Sequence, residues 1–142
     1  MGSSKYCIGL DFGTNTARAL IVDAQNGQEA AGSVAPYPSG EAGIVTDPAD
    51  PLLARQEPLD YEHSLVAALS GALQNLEQSR GPGALEDIIG IGIGATASTP
   101  IPVDAELCPI ARNPEFAGHP ATMAWLWKDH TAHQEAEEIT HR

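Results

Sequence analysis

The alternation of apolar and polar positions divides the chain into a strand-rich start, a proline-rich middle, and two helical stretches on either side of a glycine-spaced isoleucine run. Tyr6-Cys7-Ile8-Gly9-Leu10-Asp11-Phe12 and Ala17-Arg18-Ala19-Leu20-Ile21-Val22-Asp23 are short, mostly apolar runs parted by the turn formers Gly13-Thr14-Asn15-Thr16, and they predict two strands. Asn26-Gly27 supplies the pair of positive φ angles that a tight hairpin demands, so a third antiparallel strand is expected over residues 29–35. Leu65, Val66, Leu69, Leu73 and Leu76 recur at helical spacing, opened by Pro58 with Asp60 and Glu62 near the positive end and closed by Arg80-Gly81-Pro82-Gly83. Ile88-Ile89-Gly90-Ile91-Gly92-Ile93-Gly94 then reads as a strand apolar on both faces, suited to the middle of a sheet covered on each side. A helix followed by a buried strand implies a parallel crossover. Residues 99–104 form a further short extended piece, and Met123, Leu126, Trp127, Ala132, Ala136 and Ile139 predict a second helix from residue 122 onward.

Between these elements, residues 37–58 shift to Pro, Gly, Asp and Ser. Prolines at 38, 48, 51 and 58 fit neither a sheet interior nor a helix interior, so a long loop is expected there. Composition then narrows the class. With 142 residues and 42% hydrophobic positions there is material for one domain at most, with a core and without intrinsic disorder. Seven Lys and Arg against 19 Asp and Glu give a net charge of -12, which repels nucleic-acid phosphates and anionic membrane surfaces. The uncharged stretch 88–103 carries glycines, prolines and hydroxyls and cannot be a spanning helix. The apolar run after Lys5 ends at Asp11, too soon for a secretion signal, and Tyr6 stands where an N-myristoyl motif beginning Met1-Gly2 wants Ser or Thr. Two distant cysteines, Cys7 and Cys108, make no disulfide framework or zinc knuckle, and a reducing cytoplasm is the expected setting.

The most informative local feature is Gly9-x-Asp11-x-Gly13-Thr14. A carboxylate ending a first strand, followed by a turn rich in hydroxyls and backbone N–H groups, offers oxygen ligands to a hard cation and donors to phosphate oxygens. Arg18 is placed to neutralise phosphate charge or to pair with Asp11. The plainer alternative is an ordinary hairpin whose Asp caps a turn. Gly90-x-Gly92-x-x-Ala95 nominally fits a dinucleotide fingerprint, but Pro100 and Pro102 follow, and the helix that motif must open cannot form. His130 and His133, near Asp129 and Glu137, read as solvated helix-face residues and not as a metal pair. No Walker-type loop, and no Ser/His/Asp or Cys/His arrangement with local support, is found.

Taken together, Ile8-Gly9-Leu10-Asp11-Phe12-Gly13-Thr14-Asn15-Thr16-Ala17-Arg18 resembles the first phosphate motif of the FGGY carbohydrate kinases, which share the actin, hexokinase and Hsp70 fold. Gln56-Glu57-Pro58-Leu59-Asp60-Tyr61, then Gly90-Ile91-Gly92 running into Thr96-Ala97-Ser98-Thr99-Pro100 and Pro102-Val103-Asp104, then Leu126-Trp127-Lys128-Asp129-His130-Thr131-Ala132 and Glu135-Ala136-Glu137-Glu138-Ile139-Thr140, resemble the branch that phosphorylates L-ribulose. The likeness spans essentially the whole chain and is thinnest through residues 37–55. It implies an α/β fold: a ribonuclease H-like mixed sheet of the actin/hexokinase/Hsp70-type ATPase kind that begins with a three-stranded antiparallel meander, with helices packed on it.

By the same resemblance the cofactors are ATP and Mg2+. Asp11 would hold the magnesium directly or through water. Gly13, Thr14, Asn15 and Thr16 would contact the phosphates, and Arg18 would support that loop or their charge. Thr96, Ala97 and Ser98 would meet the ketose, with Trp127 and Asp129 shaping the sugar side. That branch usually carries Asp where this chain has Gly94, which leaves room for D-ribulose, xylulose or glycerol as substrate, or for an inactive nucleotide-binding module. The resemblance further implies that residues 1–142 are the N-terminal part of the first kinase domain, with the general base and second domain elsewhere. No catalytic residue is therefore assigned. Such a piece is expected to be inactive alone, and its uncovered sheet invites self-association as a homo-oligomer.

Overall fold

Tyr6, Ile8 and Leu10 are buried while the residues between them face outward, so the first apolar run pleats as a strand with one covered face. The computed structural model describes residues 4–142; the Met1-Gly2 opening considered for myristoylation lies outside them. The described chain divides into two units, one built from the chain up to Tyr37 with Tyr61–Thr96, the other from Pro38–Asp60 with Ala97–Arg142.

In the first unit, β1 (Tyr6–Phe12), β2 (Thr16–Asp23) and β3 (Glu29–Pro36) form the expected antiparallel meander, and α1 (Pro58–Arg80) crosses over to β6 (Ile88–Ala95), parallel to β1. The sheet order is β3-β2-β1-β6. Only Gly27 of the β2–β3 turn takes a positive φ, 72°; Asn26 does not, and the expected two-residue hairpin is a wider turn in which the Asp23 carbonyl accepts from the Gly27 N–H at 2.8 Å. One sheet face is packed by α1 through Ala68, Ala72 and Leu76 against Tyr6, Ile8, Leu10, Ala19 and Ile21. Small side chains let the helix come close: a Cβ added at Gly71 would lie 2.5 Å from the Ser33 hydroxyl. Val66, placed on the buried face by its spacing, is instead 64% exposed, because the covered stripe follows Ser64, Ala68, Ala72 and Leu76.

The isoleucine strand also departs from expectation. β6 is an outer strand of its sheet and not a middle one, and Ile89, Ile91 and Ile93 are 61%, 61% and 72% exposed. Their apolar character is unsatisfied by anything in the described residues.

In the second unit, the expected long loop contains a hairpin, β4 (Val45–Asp47) with β5 (Asp50–Gln56), turning at Pro48-Ala49. The prolines are tolerated because β4 is short and pairing is sparse; Pro51 takes no part in the ladder. β7 (Ala124–Trp125) pairs with Arg55 and Gln56 of β5. Residues 122–127, expected as the start of a helix, are instead the end of a 3-10 turn (Pro120–Thr122), the short strand β7 and the turn that follows it: Met123, Ala124 and Leu126 are buried, and the α-helix is confined to α2 (His133–Thr140). Residues 99–104 form no strand beyond a single bridge from Val103 to Pro109. Both cysteines are free thiols, and among the described residues no helix is long and apolar enough to cross a membrane.

Candidate functional site

The expected site residues fall on both units. In the first, Asp11 is the penultimate residue of β1 and sits directly opposite Arg18 of β2, so the strand register makes them neighbours on the sheet face away from α1. Their side chains form an ion pair at 2.9 Å, each about half exposed, 51% for Asp11 and 54% for Arg18. An exposed pair of this kind contributes little to stability, about 0–1 kcal/mol, and exchanges readily for another charged partner.

The turn that follows is tightly held. The Gly13 N–H donates to the Thr16 carbonyl at 2.9 Å, and a Cβ at Gly13 would lie 3.1 Å from the Arg18 guanidinium and 3.3 Å from the Thr16 oxygen. Gly13, Thr14 and Asn15 make the turn, while Thr16 is already the first residue of β2. The Asn15 carbonyl accepts from the Tyr37 N–H at 2.9 Å. Gly94 lies opposite Asp11 on β6, and a Cβ there would be 3.8 Å from Asp11 Oδ1. The side chain missing at position 94 is therefore missing beside Asp11. Thr96, the residue after β6, donates through both its N–H and its hydroxyl to the Phe12 carbonyl, each at 2.9 Å.

In the second unit, Ala97 and Ser98 are exposed, and Ser98 takes a left-handed φ of 58°, an uncommon conformation for a residue with a Cβ. Trp127 is 55% exposed, on a loop pinned at both ends to β5: the Leu126 N–H donates to the Ala54 carbonyl at 3.1 Å and the His130 N–H to the Leu52 carbonyl at 2.9 Å. Asp129 is used internally. Its side chain, 5% exposed, forms an ion pair with Arg55 and accepts from the Ala54 N–H at 2.7 Å and from the Thr131 hydroxyl at 2.6 Å. Arg55 is itself 3% exposed; it donates to the Pro120 carbonyl at 3.1 Å and lies 3.7 Å over the Trp125 ring. Burial lowers the Arg55 pKa from its ordinary value, and the nearby Asp50 charge acts in the opposite direction.

Sequence reasoning missed Arg55 because it treated residues 37–58 as loop. The available signal was a lone cation inside Leu52-Leu53-Ala54-Arg55-Gln56, where a buried charge must find a partner. That the partner is Asp129 has no local signature. Among the described residues, no group of three or more His, Cys, Asp or Glu side chains gathers as a ready metal site.

No protein-family model matches the chain. It is similar to a ribulokinase of Vibrio parahaemolyticus, 38% identical over 135 residues that make up 95% of this chain and 23% of that protein. It is likewise similar to a ribulokinase of Geobacillus thermodenitrificans, 40% identical over 136 residues, 93% of this chain and 23% of that protein. Among solved structures, a ligand-bound xylulose kinase from Lactobacillus acidophilus shares its backbone with a TM-score of 0.66 at 19% identity, over 97% of this chain and 23% of that one, a likeness of fold alone. The chain thus spans about 23% of the length of the curated relatives it matches, over their N-terminal portion. Its mixed sheet and helices have the actin/hexokinase-like ATPase fold.

Proposed function

This chain is homologous to the N-terminal portion of ribulokinases, in the FGGY carbohydrate kinase family, and from that premise we propose that it supplies the phosphate-facing part of an ATP-dependent kinase converting L-ribulose to L-ribulose 5-phosphate. The observation that carries the reading is the Asp11 carboxylate at the end of β1, beside a close turn at Gly13, where an added Cβ would crowd the Arg18 guanidinium at 3.1 Å and the Thr16 carbonyl at 3.3 Å. These residues suit magnesium and a polyphosphate: a half-exposed carboxylate is a hard oxygen ligand, and a hydroxyl-bearing turn with a cation behind it receives phosphate oxygens. MgATP, when bound, supplies the phosphoryl group for transfer to the terminal hydroxyl of the ketose.

The chain's own residues bind and orient. Asp11 is the magnesium-side carboxylate. Thr14, Asn15 and Thr16 present turn donors, Gly13 closes the turn through its own N–H to the Thr16 carbonyl, and Arg18 offsets phosphate charge while holding Asp11 in place. Thr96, Ala97 and Ser98 lead the chain from β6 into the segment assigned to the ketose, with Trp127 as an exposed ring and Asp129 as the anchor of its loop. No residue here is given the role of general base. Two free cysteines accord with a cytoplasmic setting.

The test is Asp11→Ala in a complete kinase carrying this segment. Expected is a loss of roughly 10²-fold or more in kcat with KM for L-ribulose little changed, as befits a group acting on the transferring phosphoryl. Near-normal turnover would refute the phosphate-site assignment. A panel of L-ribulose, D-ribulose, D-xylulose and glycerol then decides the acceptor, and turnover of none of them would favour an inactive nucleotide-binding module.

A further inference from the structure

The Phe12–Gly13 peptide is where β1 ends and the phosphate turn begins, and both of its polar atoms are fixed. Its N–H, from Gly13, donates to the Thr16 carbonyl at 2.9 Å. Its carbonyl, from Phe12, takes two donors from one residue: the Thr96 N–H at 2.9 Å and the Thr96 hydroxyl at 2.9 Å. The N–H bond extends the parallel β1–β6 ladder by one rung beyond Phe12 and Ala95. The hydroxyl bond is an addition that the ladder does not require. It uses the second lone pair of the oxygen and spends the hydroxyl proton of Thr96, which is then unavailable as a donor to anything else.

A peptide plane held at both ends cannot rotate without breaking these bonds. Its orientation sets where Asp11, one residue before it, and the Thr14 N–H, one residue after it, point. Resting on the phosphate-site reading above, we infer that Thr96 is a positioning residue for the nucleotide side of the reaction, acting through the Phe12 carbonyl, and is not a ketose ligand. Position 96 requires a hydroxyl on Cβ, which Ser also provides. Valine matches threonine in shape and keeps the ladder bond but lacks the hydroxyl.

Two measurements test this. In a complete kinase, Thr96→Val should raise KM for MgATP or lower kcat by about five-fold, the worth of one ordinary hydrogen bond, with KM for the ketose changed by less than two-fold; Thr96→Ser should restore both. In the 142-residue chain, amide hydrogen exchange at Gly13 should speed up by a similar factor in Thr96→Val and return in Thr96→Ser. The inference is overturned if Thr96→Val raises KM for the ketose alone, or if Gly13 exchange is unchanged. The exchange measurement does not depend on activity. A kinase that turns over no sugar would therefore sink the functional proposal, while Gly13 exchange still decides whether Thr96 holds the turn.

Discussion

Replacing Asp129 by Ala removes the anion from a pair whose members are 3% and 5% exposed, and leaves the Arg55 guanidinium buried beside an empty site. Breaking a buried pair from one side costs about 3–5 kcal/mol, because the remaining charge keeps its desolvation penalty without its partner. The Ala54 N–H, which donates to Asp129 at 2.7 Å, is orphaned in the same step. Arg55 keeps its bond to Pro120, its stacking on Trp125 and the nearby Asp50 charge, so the lower end of that range, about 3 kcal/mol, is expected. With a urea slope of about 1–2 kcal/mol/M for a unit this small, the midpoint should fall by roughly 2 M. Tryptophan fluorescence is the natural assay. The chain has 2 tryptophans, Trp125 and Trp127, and both lie in the second unit, so the signal follows the unit that holds the pair. Combining Arg55→Met with Asp129→Leu replaces the pair by apolar side chains and should recover most of the loss, since neither charge is then stranded. A cost under about 1 kcal/mol for Asp129→Ala, or a double variant as unstable as the sum of its singles, would refute the claim that the pair is buried and coupled.

Enlarging Ala97, an exposed residue, to Leu should raise KM for the ketose in a complete kinase and leave KM for MgATP nearly unchanged; equal damage to both would place Ala97 away from the sugar. Gly94→Asp adds a carboxylate whose Cβ lies 3.8 Å from Asp11 Oδ1, so it should lower the magnesium concentration needed for half-maximal rate several-fold without changing the ranking of sugars, and a changed ranking would contradict the placement of Gly94 beside Asp11. At Gly40, where φ is 58° and an added Cβ would lie 2.1 Å from the Ile44 carbonyl, Ala should destabilise the chain by about 2 kcal/mol or more, read from the same urea titration. Ile91→Lys on the exposed edge strand should reduce self-association of the 142-residue chain, measured by sedimentation; an unchanged distribution would show that the β6 edge is not the sticky surface.

What could be read ahead of the structure follows the range over which each residue's partners lie. β1, β2 and α1 are set by neighbours within a few positions, through strand alternation, turn formers, Pro58 at the helix start and Gly81 after its end, and they form where the pattern puts them. Asp11 with Arg18 was legible for the same reason, since a hairpin closed at Gly13 brings those two residues opposite each other. Residues 122–127 failed because their apolar positions satisfy a helical period only on paper. Ala124 is buried by pairing with Gln56 of β5, and Leu126 is held there by its N–H bond to the Ala54 carbonyl, on a segment about seventy residues earlier whose prolines read as loop. One error entailed the other, because β7 has no strand to dock on until β5 is recognised. Arg55 was lost with it, and so was the reason Asp129 is inward: a carboxylate assigned to the sugar by resemblance is tied into the packing of its own unit by an arginine 74 positions away. The isoleucines of β6 present the converse case. Their pattern correctly demands apolar cover, but the described residues place β6 on an open edge, so the demand is legible while its satisfaction is not. Local periodicity thus reports what a segment needs, and only non-local pairing decides which neighbour meets that need.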